Sequence, residues 1–502
     1  MVLIKGAQII DGTGKPAYKA DVLLRGDKIS AIGAFPNKKA DVVIDGLGLF
    51  LTPGFIDVNT DSDHYLSLFT EPYQKDFVRQ GVTTIFGGHC GSSLAPLLYG
   101  GLESIRKWSD INQINVDWHS VGEFLKVLDR RGLGVNFGTL IGHSTLRRAL
   151  IGEGLRDLTI SDLEIFKKYI NDSMKEGAFG ISTGLSYAHS RQVPYSEIKE
   201  LVQVVAEHKG VYATHLRNEK EGLLPAIYET LKVAEETGVE TLISHFKPIY
   251  GYERDYQTAL EIMTLANVHY DTYPFDTSVI PIYTLLPDWA QVGGFEVIRT
   301  YLTTPGTREN VVKAISATKG DEIGDIRIAQ APGFSHLIGK TIRELAENEG
   351  LSLPETLIKM ILLTNFRAVV FYKNIALSLA IAGLMREQAM VSSNGASLPD
   401  DPDILKQERF YNTFPRFLEV VNSQKPISLE KAIKKITSDA ARKFGLKQRG
   451  VIQSDNFADL TMFSFTPAGK MKVEFVFVNG EMAVKEGEAR SSLSGTILRH
   501  NH

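Results

Sequence analysis

The sequence predicts an α/β chain, a (β/α)8 barrel carrying a small β-sandwich built from both termini. Three observations carry this. A long central stretch alternates short apolar, β-branched runs with segments of helical periodicity. Strand-like segments with tight-turn pairs occupy both ends. Several of the central runs stop abruptly at a polar residue, as buried parallel strands do where they emerge at a barrel mouth. The chain has 502 residues, of which 43% are hydrophobic and 23% charged. That is the balance of an ordinary globular protein, and one large domain with an accessory module fits it better than several equal domains.

The N-terminal strands read as Met1–Ile10, Asp21–Arg25, Lys28–Ile32 and Ala40–Asp45, punctuated by Asp-Gly and Gly-Asp pairs. A closing set, Ala458–Phe463, Val473–Val478 and Glu481–Val484, hinges on Asn479-Gly480, a strong hairpin signal. Neither set is large enough to bury a core alone. Residues 1–51 and 449–502 are therefore expected to combine, leaving 52–448 for the barrel. Its strands are expected at Phe55–Asn59, Thr83–Gly87, Val135–Gly142, Phe179–Gly184, Val211–Leu216, Thr241–Phe246, Val268–Tyr273 and Ala389–Ser393. Between them lie helical patterns such as Ser161–Glu176 and Tyr195–Lys209, acidic early and basic late as the helix dipole prefers. An open doubly wound sheet is the rival arrangement of such a pattern. The stretch from about 287 to 349, broken by Pro305-Gly306 and Pro332-Gly333, is expected to form an inserted lobe beside the mouth.

Charge narrows the partners. With 55 basic and 59 acidic residues the net charge is −4, which provides no footprint for nucleic acid or an anionic membrane and points to a small-molecule partner. Self-association into a homo-oligomer stays open. The first ten residues lack the basic-then-apolar order of a signal peptide, and no apolar run approaches the ~20 residues of a membrane span. Cys90 is the only cysteine, so no internal disulfide forms. A cytoplasmic location is the expectation.

His215 and His245 end consecutive predicted strands, and each is followed two residues on by a cation, Arg217 or Lys247. A lone strand-end His is more often a surface residue; two in register on neighbouring strands read as a metal-ligand pair. Cys90, in Gly-Gly-His-Cys-Gly after the second strand, is by itself most simply a small buried hydrophobe. At the same barrel face as both histidines it becomes a third ligand, and Cys with two His leaves a fourth zinc position open, the arrangement of a catalytic site with one Zn2+ per chain. His64, His89 and His143 read as supporting or structural.

The chain resembles the D-aminoacylase (N-acyl-D-amino-acid deacylase) branch of the amidohydrolase superfamily. The motifs that carry the likeness are Leu51-Thr-Pro-Gly-Phe-Ile-Asp57, Cys90-Gly-Ser-Ser-Leu-Ala-Pro96, Gly142-His-Ser-Thr-Leu-Arg147, Ser182-Thr-Gly-Leu-Ser-Tyr187, Thr214-His-Leu-Arg-Asn-Glu219, Ser244-His-Phe-Lys247, Tyr273-Pro and Thr413-Phe-Pro-Arg416, in order through almost the whole chain. The resemblance implies a distorted metal-dependent-hydrolase barrel with a β-sandwich and a zinc on Cys90, His215 and His245. It also implies hydrolysis of an N-acyl-D-amino acid to a D-amino acid and a carboxylate. Lys247, Tyr187, Arg217, Tyr273 and Arg409 are by the same likeness the groups that bind or orient substrate.

Three departures bear on activity. Asn59-Thr60-Asp61 stands where the superfamily has His-x-His, Asn394 where the family has a strand-eight Asp, and Gln407-Glu-Arg409 where His-Pro-Arg is expected. An amide cannot accept a proton as a carboxylate does, so either Asp61 or Asp63 takes over as base, or the chain is a non-catalytic relative that retains metal and pocket as a binding or scaffold protein. In the second case restoring Asp at position 394 would raise activity. A cyclic-amidase or dipeptidase specificity on the same barrel is the third reading.

Overall fold

Apolar runs become strands here because each is buried on both faces. In the computed structural model eight such runs lie parallel: β1 (Phe55–Asp57), β2 (Val82–Gly87), β3 (Asn136–Thr139, resuming at Ile141–Gly142), β4 (Gly180–Gly184), β5 (Val211–His215), β6 (Glu240–Ile243), β7 (His269–Thr272) and β8 (Ala389–Val391). The structure describes residues 1–500 except 99–101, 103, 107, 110, 153–155, 267 and 402–403, and the side chains of 113 and 319. Residues 501 and 502 of the expected closing module lie outside the described residues.

Pairing follows chain order. β1, β2 and β3 form one parallel set, and the second half of β3 continues through β4, β5, β6, β7 and β8. The Phe179 amide, just before β4, donates to Thr139 O at 2.9 Å and spans the break in β3. At the other side, the Asn394 amide donates to Asn59 O at 2.9 Å and the Asp61 amide to Gly395 O at 2.7 Å, so the tails of β8 and β1 meet. The strand order is that of a (β/α)8 barrel, not of a doubly wound sheet. Helices fill the connections; Ile160–Glu176, for instance, is capped by Thr159 with Asp162 in a capping box and stopped by Gly177 in the left-handed region. Among the described residues no helix is long and apolar enough to cross a membrane.

The two termini share one nine-stranded sheet. Its joint is Leu460–Phe465 antiparallel to Phe50–Pro53, so the C-terminal strands extend the N-terminal set. Ile4, Ile9, Leu51, Leu460, Met462 and Phe477 pack in its core, three from each end of the chain. Asn479 and Gly480 both take positive φ, +49° and +80°, and turn Met471–Val478 back onto Glu481–Lys485.

The insertion is wider than the stretch from about 287 to 349. Thr277–Pro281 pairs antiparallel with Val369–Lys373, which also pairs with Arg327–Gln330, and the enclosed helices pack on Ile282, Leu285, Ile298, Leu357 and Val370. The flanking strands lack a turn signal because they are joined through the whole lobe rather than by a hairpin.

Strand β8 is anchored from below. Lys435, on the helix Leu429–Ile436, donates to the carbonyls of Arg386 and Ala389 at 2.6 Å each. Burial pushes its ammonium down from 10.5 to about 8. The unfolded chain therefore binds more protons between those values, and stability rises with pH from about 8 towards 10.5. Lys435→Met is expected to flatten that slope in urea midpoints measured across the window; an unchanged slope would assign it to other groups.

Candidate metal centre and its cleft

The loop after β2 owes its path to glycine. A Cβ on Gly88 would lie 2.1 Å from Leu140 O and one on Gly91 2.7 Å from Gly184 N, so only glycines admit the chain this close to β3 and β4. Cys90 between them has φ +53°. His245, after β6, has φ +38°, and Asn394, after β8, has φ +42°. Positive φ in non-glycine residues is uncommon and gathers at functional sites; here three such residues line one cavity. The His245 turn is held by Asp271 of β7, whose Oδ1 accepts the His245 amide at 2.9 Å and the Ser392 hydroxyl at 2.5 Å.

The donor atoms of Cys90, His215 and His245 all lie within 4.8 Å of one another, with Cys90 Sγ 3.3 Å from His245 Nε2. One soft sulfur and two imidazoles converging on a point suit a zinc-type ion. Among the described residues no second group of this kind occurs. The Ser186 hydroxyl meets His215 Nε2 at 2.8 Å and Tyr187 packs edge-on against the same ring.

Glu219 is the residue that sequence reasoning missed. Its carboxylate accepts from Lys247 Nζ at 2.9 and 3.1 Å and approaches His245 Nδ1 at 3.4 Å and His215 Nε2 at 3.7 Å. Burial raises its pKa, but Lys247 and both histidines outweigh burial and hold it well below the usual carboxylate range. Burial likewise pushes Lys247 down, and Glu219 overrides it, so the ammonium stays above its ordinary value. The signal was present four residues after His215, in a motif already noted, but nothing local shows which way that loop turns.

The other expected residues separate into those on the cavity wall and those behind it. Asp61, Tyr187, Arg217, Lys247, Tyr273 and Asn394 line it. Arg217 spends its guanidinium on Glu229, at 2.7 and 3.0 Å, and on the carbonyls of Arg191 and Val193. Arg409 is 1% exposed and sits behind Asn394, donating to the carbonyls of Ser393 and Asn394 with its cation over the Tyr273 ring. Thus neither arginine presents an unengaged fork to the cavity. Asn59 is buried and donates to both oxygens of Asp271 at 3.2 Å, tying β1 to β7. Asp63 accepts the Gly88 amide at 2.7 Å and braces the cysteine loop. His143 bonds Glu197 at 2.9 Å, and His89 is buried and pushed down to about 3, a neutral ring.

Asp61 and Asn394 meet across the mouth. Asn394 Nδ2 donates to Asp61 Oδ2 at 3.1 Å, and His64 Nδ1 lies 3.0 Å from Asp61 Oδ1. The carboxylates on the wall are Asp61, Glu219 and Asp288, and the last pairs with Arg191 at 3.2 Å on the rim. The lobe closes the opposite side with Val279, Ile280, Pro281 and Leu285.

A barrel with a cysteine sulfur and two imidazoles converging at its carboxyl-terminal mouth defines a metal-centred hydrolase-type site. No protein-family model matches the chain. It is 30% identical over 483 residues to N-acyl-D-aspartate deacylase of Alcaligenes xylosoxydans xylosoxydans, covering 92% of this chain and 85% of that one. It is 29% identical over 468 residues to D-aminoacylase of the same organism, covering 92% and 87%. It superposes with TM-score 0.82 and 25% identity, over 99% of both chains, on the crystal structure of N-acyl-D-glutamate deacylase from Bordetella bronchiseptica complexed with zinc and a phosphonate mimic of the tetrahedral intermediate. The chain belongs to the D-aminoacylase family of the amidohydrolases.

Proposed function

We propose that the protein is a zinc-dependent deacylase that hydrolyses the amide of N-acyl-D-amino acids, releasing a D-amino acid and a carboxylate, with Asp61 as the base. The observation that carries the base assignment is the count of carboxylates on the cavity wall. Glu219 is paired with the Lys247 ammonium and Asp288 with the Arg191 guanidinium at the rim, whereas Asp61 meets only the Asn394 amide and the His64 ring, with no Lys or Arg on it among the described residues. Cys90, His215 and His245 would hold the zinc, which supplies polarisation of the scissile carbonyl and a lowered pKa for the attacking water.

The chain's own groups then divide the work. Asp61 accepts the water's proton and delivers it to the leaving nitrogen. The Asn394 amide and the His64 ring each hold one of its oxygens, fixing the carboxylate's orientation. Arg409 grips the backbone carbonyls of Ser393 and Asn394 and so fixes the loop that carries the amide. Lys247, Tyr187 and Tyr273 line the cavity and contact the substrate, Lys247 from its ion pair with Glu219. Arg217 shapes the wall from its bonds to Glu229.

The test is zinc per chain by elemental analysis beside amine release from paired N-acyl-D- and N-acyl-L-amino acids. About one zinc with D-selective turnover is expected. Zinc-loaded protein inert toward the whole panel would favour the binding-protein reading instead.

A further inference from the structure

Glu219 has no task in the chemistry above, yet its oxygens approach both histidines of the centre. It is not among the residues whose donor atoms cluster within 4.8 Å, so its place is beside the ligands rather than with them. Of the two histidines it comes nearest to His245, at Nδ1, 3.4 Å away, the nitrogen on the far side of the ring from Cys90.

That nitrogen is contested. Lys247 Nζ also lies 3.4 Å from His245 Nδ1, and a neutral imidazole carries one N–H only. With the proton on Nε2, the ring donates toward Cys90 Sγ, Nδ1 accepts from Lys247, and Nε2 has no lone pair to offer. With the proton on Nδ1, the ammonium has donors alone and cannot use the contact, whereas the Glu219 carboxylate accepts it. The Nε2 lone pair then faces the same point as the Cys90 sulfur. We propose that Glu219 is a positioning residue that accepts His245 Nδ1–H and thereby selects the ring tautomer able to bind the metal. The inference rests on the metal-site reading of the preceding section. Carboxylate partners of this kind orient metal-bound histidines generally, and losing one typically costs about 10- to 100-fold in metal affinity.

The experiment measures zinc affinity by competition with a chromophoric chelator, and the thiolate-to-metal absorption of the cobalt-loaded protein, without reference to turnover. Glu219→Leu alone would strand Lys247 without a counter-ion, so the informative variant is Glu219→Leu with Lys247→Met. It is expected to bind zinc about 10- to 100-fold more weakly than the unaltered chain and to show a shifted cobalt band. Wild-type affinity in this double variant would mean that Glu219 merely balances Lys247, and would overturn the proposal. Glu219→Gln keeps the shape and one neutral acceptor shared by two neighbours, and guards against a misfolded double variant. A loss of about 10-fold is expected for it, and affinity equal to wild type would again overturn the proposal. Failure of the unaltered protein to bind zinc at all would instead remove the metal-site reading underneath.

Discussion

Replacing Cys90 by Ala is expected to strip the protein of its metal and bring amide hydrolysis down to background while leaving the fold intact. The thiolate is one of three converging donors, and the two imidazoles that remain do not make a zinc site of ordinary affinity. Since loss of a mere partner of a ligand costs about 10- to 100-fold, loss of a ligand is expected to exceed about 100-fold. Stability is a separate matter. The residue is small, 4% exposed, and sits at φ +53°, a strain that Ala and Cys share, so the melting temperature should move little when both proteins are compared metal-free. Elemental analysis, turnover and a melting curve on one preparation decide it. A variant that retains one zinc per chain would show that the sulfur is structural and that other donors hold the ion.

The barrel was legible in the sequence because a strand buried on both faces writes itself as an uninterrupted apolar run. All eight runs lie where the pattern put them, although β3 is interrupted at Leu140 and β1, β6 and β8 stop two or three residues early, at Asp57, Ile243 and Val391, where the chain leaves to make the mouth. The convergence of Cys90, His215 and His245 was legible for a related reason: each lies at or within three residues of the end of such a run, so the runs carry all three to one face. What could not be read was the partner of each charge. Arg217 looked available for a substrate carboxylate until Glu229, one helix away, closed on it. Arg409 turned its guanidinium onto two backbone carbonyls. The pairing of Asp61 with Asn394 links residues 333 apart in sequence. Such contacts depend on how the loops pack at the mouth, and no periodicity records that. The same holds for the lobe, whose first and last strands pair only once everything between them has folded.

Asp61→Asn is expected to lower turnover by about 10²- to 10⁴-fold with zinc content unchanged, the usual worth of a general base. Asn394→Asp, run beside it, separates the two readings of the mouth. In a chain silenced by loss of a strand-eight carboxylate, the substitution restores activity. Here it replaces a donor 3.1 Å from Asp61 Oδ2 by a second carboxylate. Two carboxylates at that separation cannot both ionise readily, so they share a proton and the pair yields a poorer base at neutral pH. Turnover should therefore fall about 10-fold or more at pH 7 and recover as pH rises and the shared proton leaves, since only the fully ionised pair frees Asp61 to accept. The double variant Asp61→Asn with Asn394→Asp reverses the donor and acceptor across the same bond. It should recover part of the activity lost in Asp61→Asn if a carboxylate is usable from either side of the mouth. A several-fold gain from Asn394→Asp alone would place the base on the β8 loop and leave Asp61 as its hydrogen-bonding partner.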